Sequence, residues 1–200
     1  DDFAQAMADA NPASDLARLL PKFKRWYSQA GTPRLQANGV YDATNRSYAL
    51  TLTQSCPPTP GQALKQPFVI PVAIGLLDAQ GSELPLQLAH WSQPEHGTRS
   101  FVLTQESETL TFVNIDVEPV PSILRGFSAP VVLDFEYSDA QLLTLLAHDV
   151  DPFNRWEASQ RLALRLALQA IQAPGAVPAE PLDPTYLQAM RTVLRNPALD

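Results

Sequence analysis

"KFKRWYSQAGTPRLQ", residues 22–36, is where the chain changes its period. Upstream, Phe3, Ala6, Met7 and Ala10 recur at helical spacing until Asn11-Pro12 stops the run. Ser14 is the predicted N-cap of a second short helix bearing Leu16, Leu19 and Leu20, and Pro21 interrupts that pattern. Phe23, Trp26 and Tyr27 follow, too little sequence to make a domain of its own. Beyond Gly31-Thr32-Pro33 the apolar residues alternate, the pattern of a strand with one buried face. The stretch is a seam between a helical end and a β domain.

Working outward, Tyr48, Leu50 and Leu52 alternate with Ala49, Thr51 and Thr53, and a turn at 42–46 precedes them. Phe68, Ile70, Val72, Ile74 and Leu76 form a longer alternation ending in the turn Asp78-Ala79-Gln80-Gly81. Leu84, Leu86 and Leu88 predict a further strand, as do Phe101 with Leu103 and Leu110 with Phe112. Val131, Leu133, Phe135 and Tyr137 make the cleanest alternation in the chain. About seven short strands without intervening helices predict an antiparallel β-sandwich. Pro71 inside the longest strand predicts a bulge or an edge there, because proline cannot donate to a ladder. The Cys-Trp-Cys core of antibody domains is absent, since Cys56 is the single cysteine.

After Ser138 the helical period returns. Ser138 and Gln141 fit a capping box ahead of "LLTLLAH". Asp151-Pro152 is an N-cap followed by the favoured first-turn proline, opening "FNRWEASQRLALRLALQAIQ". Asp183-Pro184 repeats that signal after the proline-rich "APGAVPAEPLDP" at 173–184. The fold class is therefore mainly β with helical flanks. Its expected divisions are a helical tail at 1–32, a β-sandwich domain at 33–138 and the start of an α-helical domain at 139–200. Both ends read as those of a segment taken from a longer protein.

Composition excludes several functions. The net charge of −7 opposes binding to a phosphate backbone, and the one basic cluster, Lys22, Lys24 and Arg25, reads as a solvated helix face. No apolar run approaches the roughly 20 residues that cross a bilayer, so no membrane partner is expected. A lone Cys56 forms no intrachain disulfide and no cysteine zinc site, and it favours a reducing, cytoplasmic setting.

No catalytic constellation emerges. His90, Trp91 and His96 share the polar loop "AHWSQPEHGTR", where two histidines beside Glu95 lack the further ligands a metal requires. His148-Asp149 ends a helix, where an imidazolium suits the helix dipole. Asp134 and Glu136 lie on the outward face of a strand, where solvation accounts for them. No HExxH, GxSxG or SxxK pattern occurs, and eight glycines leave little room for a phosphate cradle. Catalytic, substrate-binding and metal residues are accordingly none.

"DDFAQAM" and "FKRWYSQAGTP", then "ALKQPFVIPVAIGLLDAQG", "VEPVPSILRGFSAPVVLDFEYSDAQL" and "DPFNRWEASQRLAL", resemble bacterial aminopeptidase N in family order across nearly the whole chain. That family, also called alanyl aminopeptidase, comprises zinc metallopeptidases of the gluzincin type. The resemblance implies the end of a catalytic domain, a small Ig-like sandwich and the first helices of a large C-terminal domain. The family's HExxH zinc helix, its distant Glu ligand, its GAMEN-type motif and its catalytic Tyr all precede the matched region. No catalytic or zinc-binding residue is therefore carried over, and zinc belongs to the parent enzyme alone.

The expected function is a non-catalytic linker within a hydrolase that removes N-terminal amino acids from peptides. Its expected partners are the neighbouring catalytic and helical domains of the same chain. Apolar helix faces left uncovered would allow a non-native dimer of the segment alone. The alternative is a free-standing sandwich module binding a protein or carbohydrate through His90, Trp91 and His96.

Overall fold

In the computed structural model, residues 1–172 and 183–197 are described. Helices α1 (Asp2–Ala10), α2 (Asp15–Phe23) and α3 (Arg25–Ser28) lead into the β region. Strands β1 (Arg34–Asp42), β2 (Ser47–Ser55), β3 (Ile70–Leu77), β4 (Glu83–Leu84), β5 (Arg99–Leu103), β6 (Ser107–Val113), β7 (Val120–Ile123) and β8 (Val132–Asp134) follow. Helices α4 (Asp139–His148), α5 (Pro152–Gln172) and α6 (Pro184–Leu194) complete the order. One sheet runs β6-β2-β1-β8; the other is built on β3, which pairs with β4, β5 and β7. Most of the proline-rich segment at 173–184 lies outside the described residues.

The alternation in β2 turns Tyr48, Leu50 and Leu52 inward and threonines outward. Outward, the Thr51 and Thr109 hydroxyls meet at 2.9 Å, as do those of Thr53 and Ser107, tying β2 to β6 across the exposed face. Gln54 continues the inward series and is buried. Its amide donates to Phe68 O at 3.0 Å and Gln105 O at 2.8 Å, and its carbonyl accepts Phe68 N–H at 2.7 Å. Leu35, Leu50, Ile70, Ile74, Leu86 and Phe112 are all fully buried between the sheets. Each such side chain contributes about 1.5–3 kcal/mol.

Strand β3 is buried on both faces. Ile70, Val72, Ile74 and Leu76 enter the sandwich core, while Leu77 joins a second core with Leu142, Leu145, Leu146, Ala158 and Leu162. The one-sided alternation of the sequence concealed this second face. Pro71 falls in the half of β3 that β7 does not reach, since β7 pairs only with Ile74–Leu77. Two residues on, Ala73 N–H donates to the Ser128 hydroxyl at 3.0 Å in place of a strand.

Four expectations need correction. The Val131–Tyr137 alternation yields a ladder only at Val132–Asp134, and β8 runs parallel to β1. The carbonyls of alternate residues go instead to arginines of α5: Arg161 donates to Leu133 O and Phe135 O, and Arg165 to Tyr137 O. The sandwich is thus mixed rather than wholly antiparallel. The Leu84–Leu88 strand shrinks to β4, because Pro85 has no N–H to continue it; Leu86 and Leu88 make isolated bridges to Glu95 and Phe112. Pro21 does not end its helix but sits inside α2, and the break falls at Lys24.

The helix signals were accurate. Ser14 Oγ accepts Ala17 N–H, and Ser138 and Gln141 form both bonds of a capping box. Asp183 caps α6, with Pro184 in its first turn.

Candidate functional site at the sandwich–helix seam

Strand β7 ends in a tight turn where Leu124, Gly126 and Phe127 all take left-handed backbone angles, with φ of 62°, 62° and 53°. For leucine and phenylalanine that conformation costs about 1 kcal/mol or more each. The turn drives the Arg125 side chain, 2 % exposed, beneath β3 into a polar cluster that reaches from buried Asp149 out to exposed Glu83 and Thr98.

Arg125 Nη1 donates to Glu83 Oε1 at 2.6 Å and Thr98 Oγ1 at 3.1 Å, and Nε donates to Ser122 Oγ at 2.8 Å. Nη2 faces Asp149 Oδ1 at 3.0 Å, a charge contact without hydrogen-bond alignment. Gly75 makes room for the guanidinium: a Cβ there would stand 2.1 Å from Arg125 Cζ.

The helical side supplies two further carboxylates. Asp149 is fully buried directly after α4, and its Oδ1 accepts Asp151 N–H at 3.0 Å. Burial pushes its carboxyl above the ordinary carboxylate range, with the Arg125 charge opposing that shift. Asp151 Oδ1 accepts Asn154 N–H at 3.0 Å, capping α5, while Oδ2 accepts the N–H of Gly126 in the strained turn. Asn154 donates to Ser122 Oγ at 2.8 Å and Ile123 O at 3.1 Å. Arg155 Nε donates to Asp149 O at 2.6 Å. Sandwich and helices are therefore joined through a dense polar seam, in which Arg125 Nη2 and Asp149 Oδ2 alone among the described buried side-chain nitrogen and oxygen atoms lack a hydrogen bond.

The loop residues take other places. Leu86 and Glu95 exchange backbone hydrogen bonds at 2.7 and 2.8 Å, closing a hairpin-like loop that leaves His90 and His96 exposed. Trp91 stacks on Phe101 with ring centroids 6.0 Å apart and planes 7° from parallel. Glu95 pairs with Arg99. Cys56 is half-buried, its Sγ set 3.7 Å from Ala30 O. Among the described residues no three His, Cys, Asp or Glu side chains converge to hold a metal. His148 ends α4 as expected, and its side chain packs over Gly81. Sequence reasoning missed Arg125 and the burial of Asp149. The available signal was Asp149-Val150-Asp151-Pro152, with one more carboxylate than a helix cap requires.

An Ig-like sandwich clamped to a helical array is the class this seam defines. The chain belongs to the family described as a domain of unknown function, DUF3458, with an Ig-like fold, matched over residues 31–136. Residues 139–200 match the companion DUF3458_C domain, described as ARM repeats. Among relatives, Aminopeptidase N of Escherichia coli strain K12 is 39% identical over all of this chain and 22% of its own length. Aminopeptidase N of Haemophilus influenzae is 36% identical over 98% of this chain and 22% of its own length. A crystal structure of Legionella pneumophila aminopeptidase A in complex with aspartic acid superposes with a TM-score of 0.74 at 26% identity. That match covers 99% of this chain and 20% of the other. The chain thus spans about a fifth of the length of the relatives it matches.

Proposed function

We propose that the chain is the non-catalytic structural segment of an aminopeptidase N-type enzyme, setting a catalytic domain against a helical one. The carrying observation is the buried seam. Glu83, Ser122 and Arg125 from the sandwich meet Asp149, Asp151 and Asn154 from the helices, so the two parts are tied by contacts on both sides. The entry end is fastened as well. Trp26 Nε1 donates to Val69 O at 2.8 Å, its ring packs on Phe68 at 4.6 Å, and Arg25 donates to Pro67 O. Any element preceding α3 is thereby referred to the sandwich.

By family resemblance the parent removes N-terminal residues from peptides using zinc. Among the described residues of this chain no three donors converge as zinc requires, and no hydrolytic step is assigned to them. Its contribution to catalysis is positional, since small misplacements of catalytic groups cost orders of magnitude in rate. A cytoplasmic setting accords with Cys56 as a free thiol.

The test compares this 200-residue chain with its full-length parent in hydrolysis of alanine p-nitroanilide, with zinc measured in both. An inactive, zinc-free chain beside an active, zinc-bearing parent supports the reading. Stoichiometric zinc or turnover in the chain alone overturns it.

A further inference from the structure

Strand β8 pairs with β1 only as far as Gln36, and the two segments then part. Between β1 and the stretch leading into α4 opens a cleft of about 650 Å³. Pro33 O accepts Val132 N–H at 3.0 Å, so Pro33 faces β8. By the period of a strand, Gly39 and Tyr41 turn their backbone N–H and C=O to that same side. No described strand covers them there, since β1 pairs only with β2 along this length.

Two further observations point to a ligand. Tyr48 is 3 % exposed, its hydroxyl lies over Gly39 at the cleft, and that hydroxyl makes no hydrogen bond to any described residue. Glu118, Asp134 and Glu136 line the same cleft, and none of their carboxylates forms an ion pair or hydrogen bond with a described residue. The neighbouring arginines Arg161 and Arg165 are engaged elsewhere, by Glu157 and Asp139 and by the carbonyls of 133–137.

We propose that this cleft binds an extended peptide carrying lysine or arginine at alternate positions, laid against the free edge of β1. The peptide's amides pair with Gly39 and Tyr41, its basic side chains meet Glu118, Asp134 and Glu136, and a backbone group reaches the Tyr48 hydroxyl. Strand addition to an open edge supplies affinity, and pockets for alternate side chains supply selectivity.

The test titrates the intact chain with a fluorescein-labelled, N-acetylated Lys-Val-Lys-Val-Lys-Val amide at low salt, read by anisotropy. Its Glu-Val counterpart and a version N-methylated at alternate amides serve as controls. The lysine peptide is expected to bind about tenfold or more tighter than the glutamate peptide and to weaken as salt screens the charges. The paired exposed-site substitutions Glu118→Gln and Glu136→Gln are expected to weaken it by about fivefold. The Gly39 amide resonance should shift on binding, and N-methylation should abolish binding. Failure of the lysine peptide to bind, equal binding of the glutamate peptide, indifference to the two substitutions, or undiminished binding of the N-methylated peptide overturns the proposal.

Discussion

Gly75 and Arg125 occupy one space: the missing side chain of the first admits the guanidinium of the second. A Cβ at position 75 would lie 2.1 Å from both Cζ and Nη1 of Arg125. The guanidinium cannot retreat without abandoning Glu83, Thr98 and Ser122. Gly75→Ala is therefore expected to destabilise the chain by about 2–4 kcal/mol, as overpacking plus a broken buried pair. Urea midpoints at an unchanged slope check this; a loss below about 0.5 kcal/mol would show that the guanidinium repacks freely.

Arg125→Met leaves Asp149 buried without its cation and is expected to cost about 3–5 kcal/mol near neutral pH. The sign of its pH dependence follows from Asp149. Burial raises the folded-state pKa above the ordinary carboxylate value of 3.8, and Arg125 holds it down. For a raised carboxyl, folding is favoured most when both states are protonated. Stability falls as pH climbs through the window above 3.8, because the unfolded state releases its proton first. Removing Arg125 widens that window upward. The variant's deficit should thus be larger at about pH 8 than at about pH 5, in urea titrations beside wild type. An equal deficit at both would assign the loss to packing alone.

Arg161 closes the outer edge of β8. Arg161→Gln is expected to lose about 1–2 kcal/mol, and amides near 133–137 should exchange faster with solvent. Unchanged exchange there would mean that the edge is protected by something other than the guanidinium.

Phe127, Phe153 and Trp156 form an exposed aromatic cluster beside the seam, with centroid separations of 5.1 and 5.7 Å and Trp156 54 % exposed. Exposed apolar patches favour association, and the isolated chain is expected to self-associate through this one. Light scattering should show concentration-dependent dimers that Trp156→Ser weakens. A monomer at every concentration would remove the patch as a sticky surface.

The sandwich was legible because burial writes itself as alternation: Tyr48, Leu50 and Leu52 in β2, and Ile70 to Leu76 in β3. Helix starts were legible because Ser138, Asp151 and Asp183 act within three residues of themselves. What alternation does not encode is the source of hydrogen bonds. Val131 to Tyr137 alternates because its side chains pack against two different cores, although three of its seven carbonyls are taken by arginines. The seam was hidden for a related reason. Nothing in "SILRGF" marks Arg125, whose partners Glu83 and Asp149 lie far away on either side in sequence. The open end of the β1–β8 pair likewise depends on where two distant segments diverge.

The pairing of Arg34 with Val132 also sets an order of assembly. As the chain leaves a ribosome, β1 and β2 can pair at once, whereas the outer edge of β1 waits for nearly the whole sandwich to emerge. Such long-range closure is slow. The arginines that then shield β8 arrive later still, on α5. The nascent sandwich passes through an interval with a bare edge, and its escape from aggregation rests on how soon the helices follow it out.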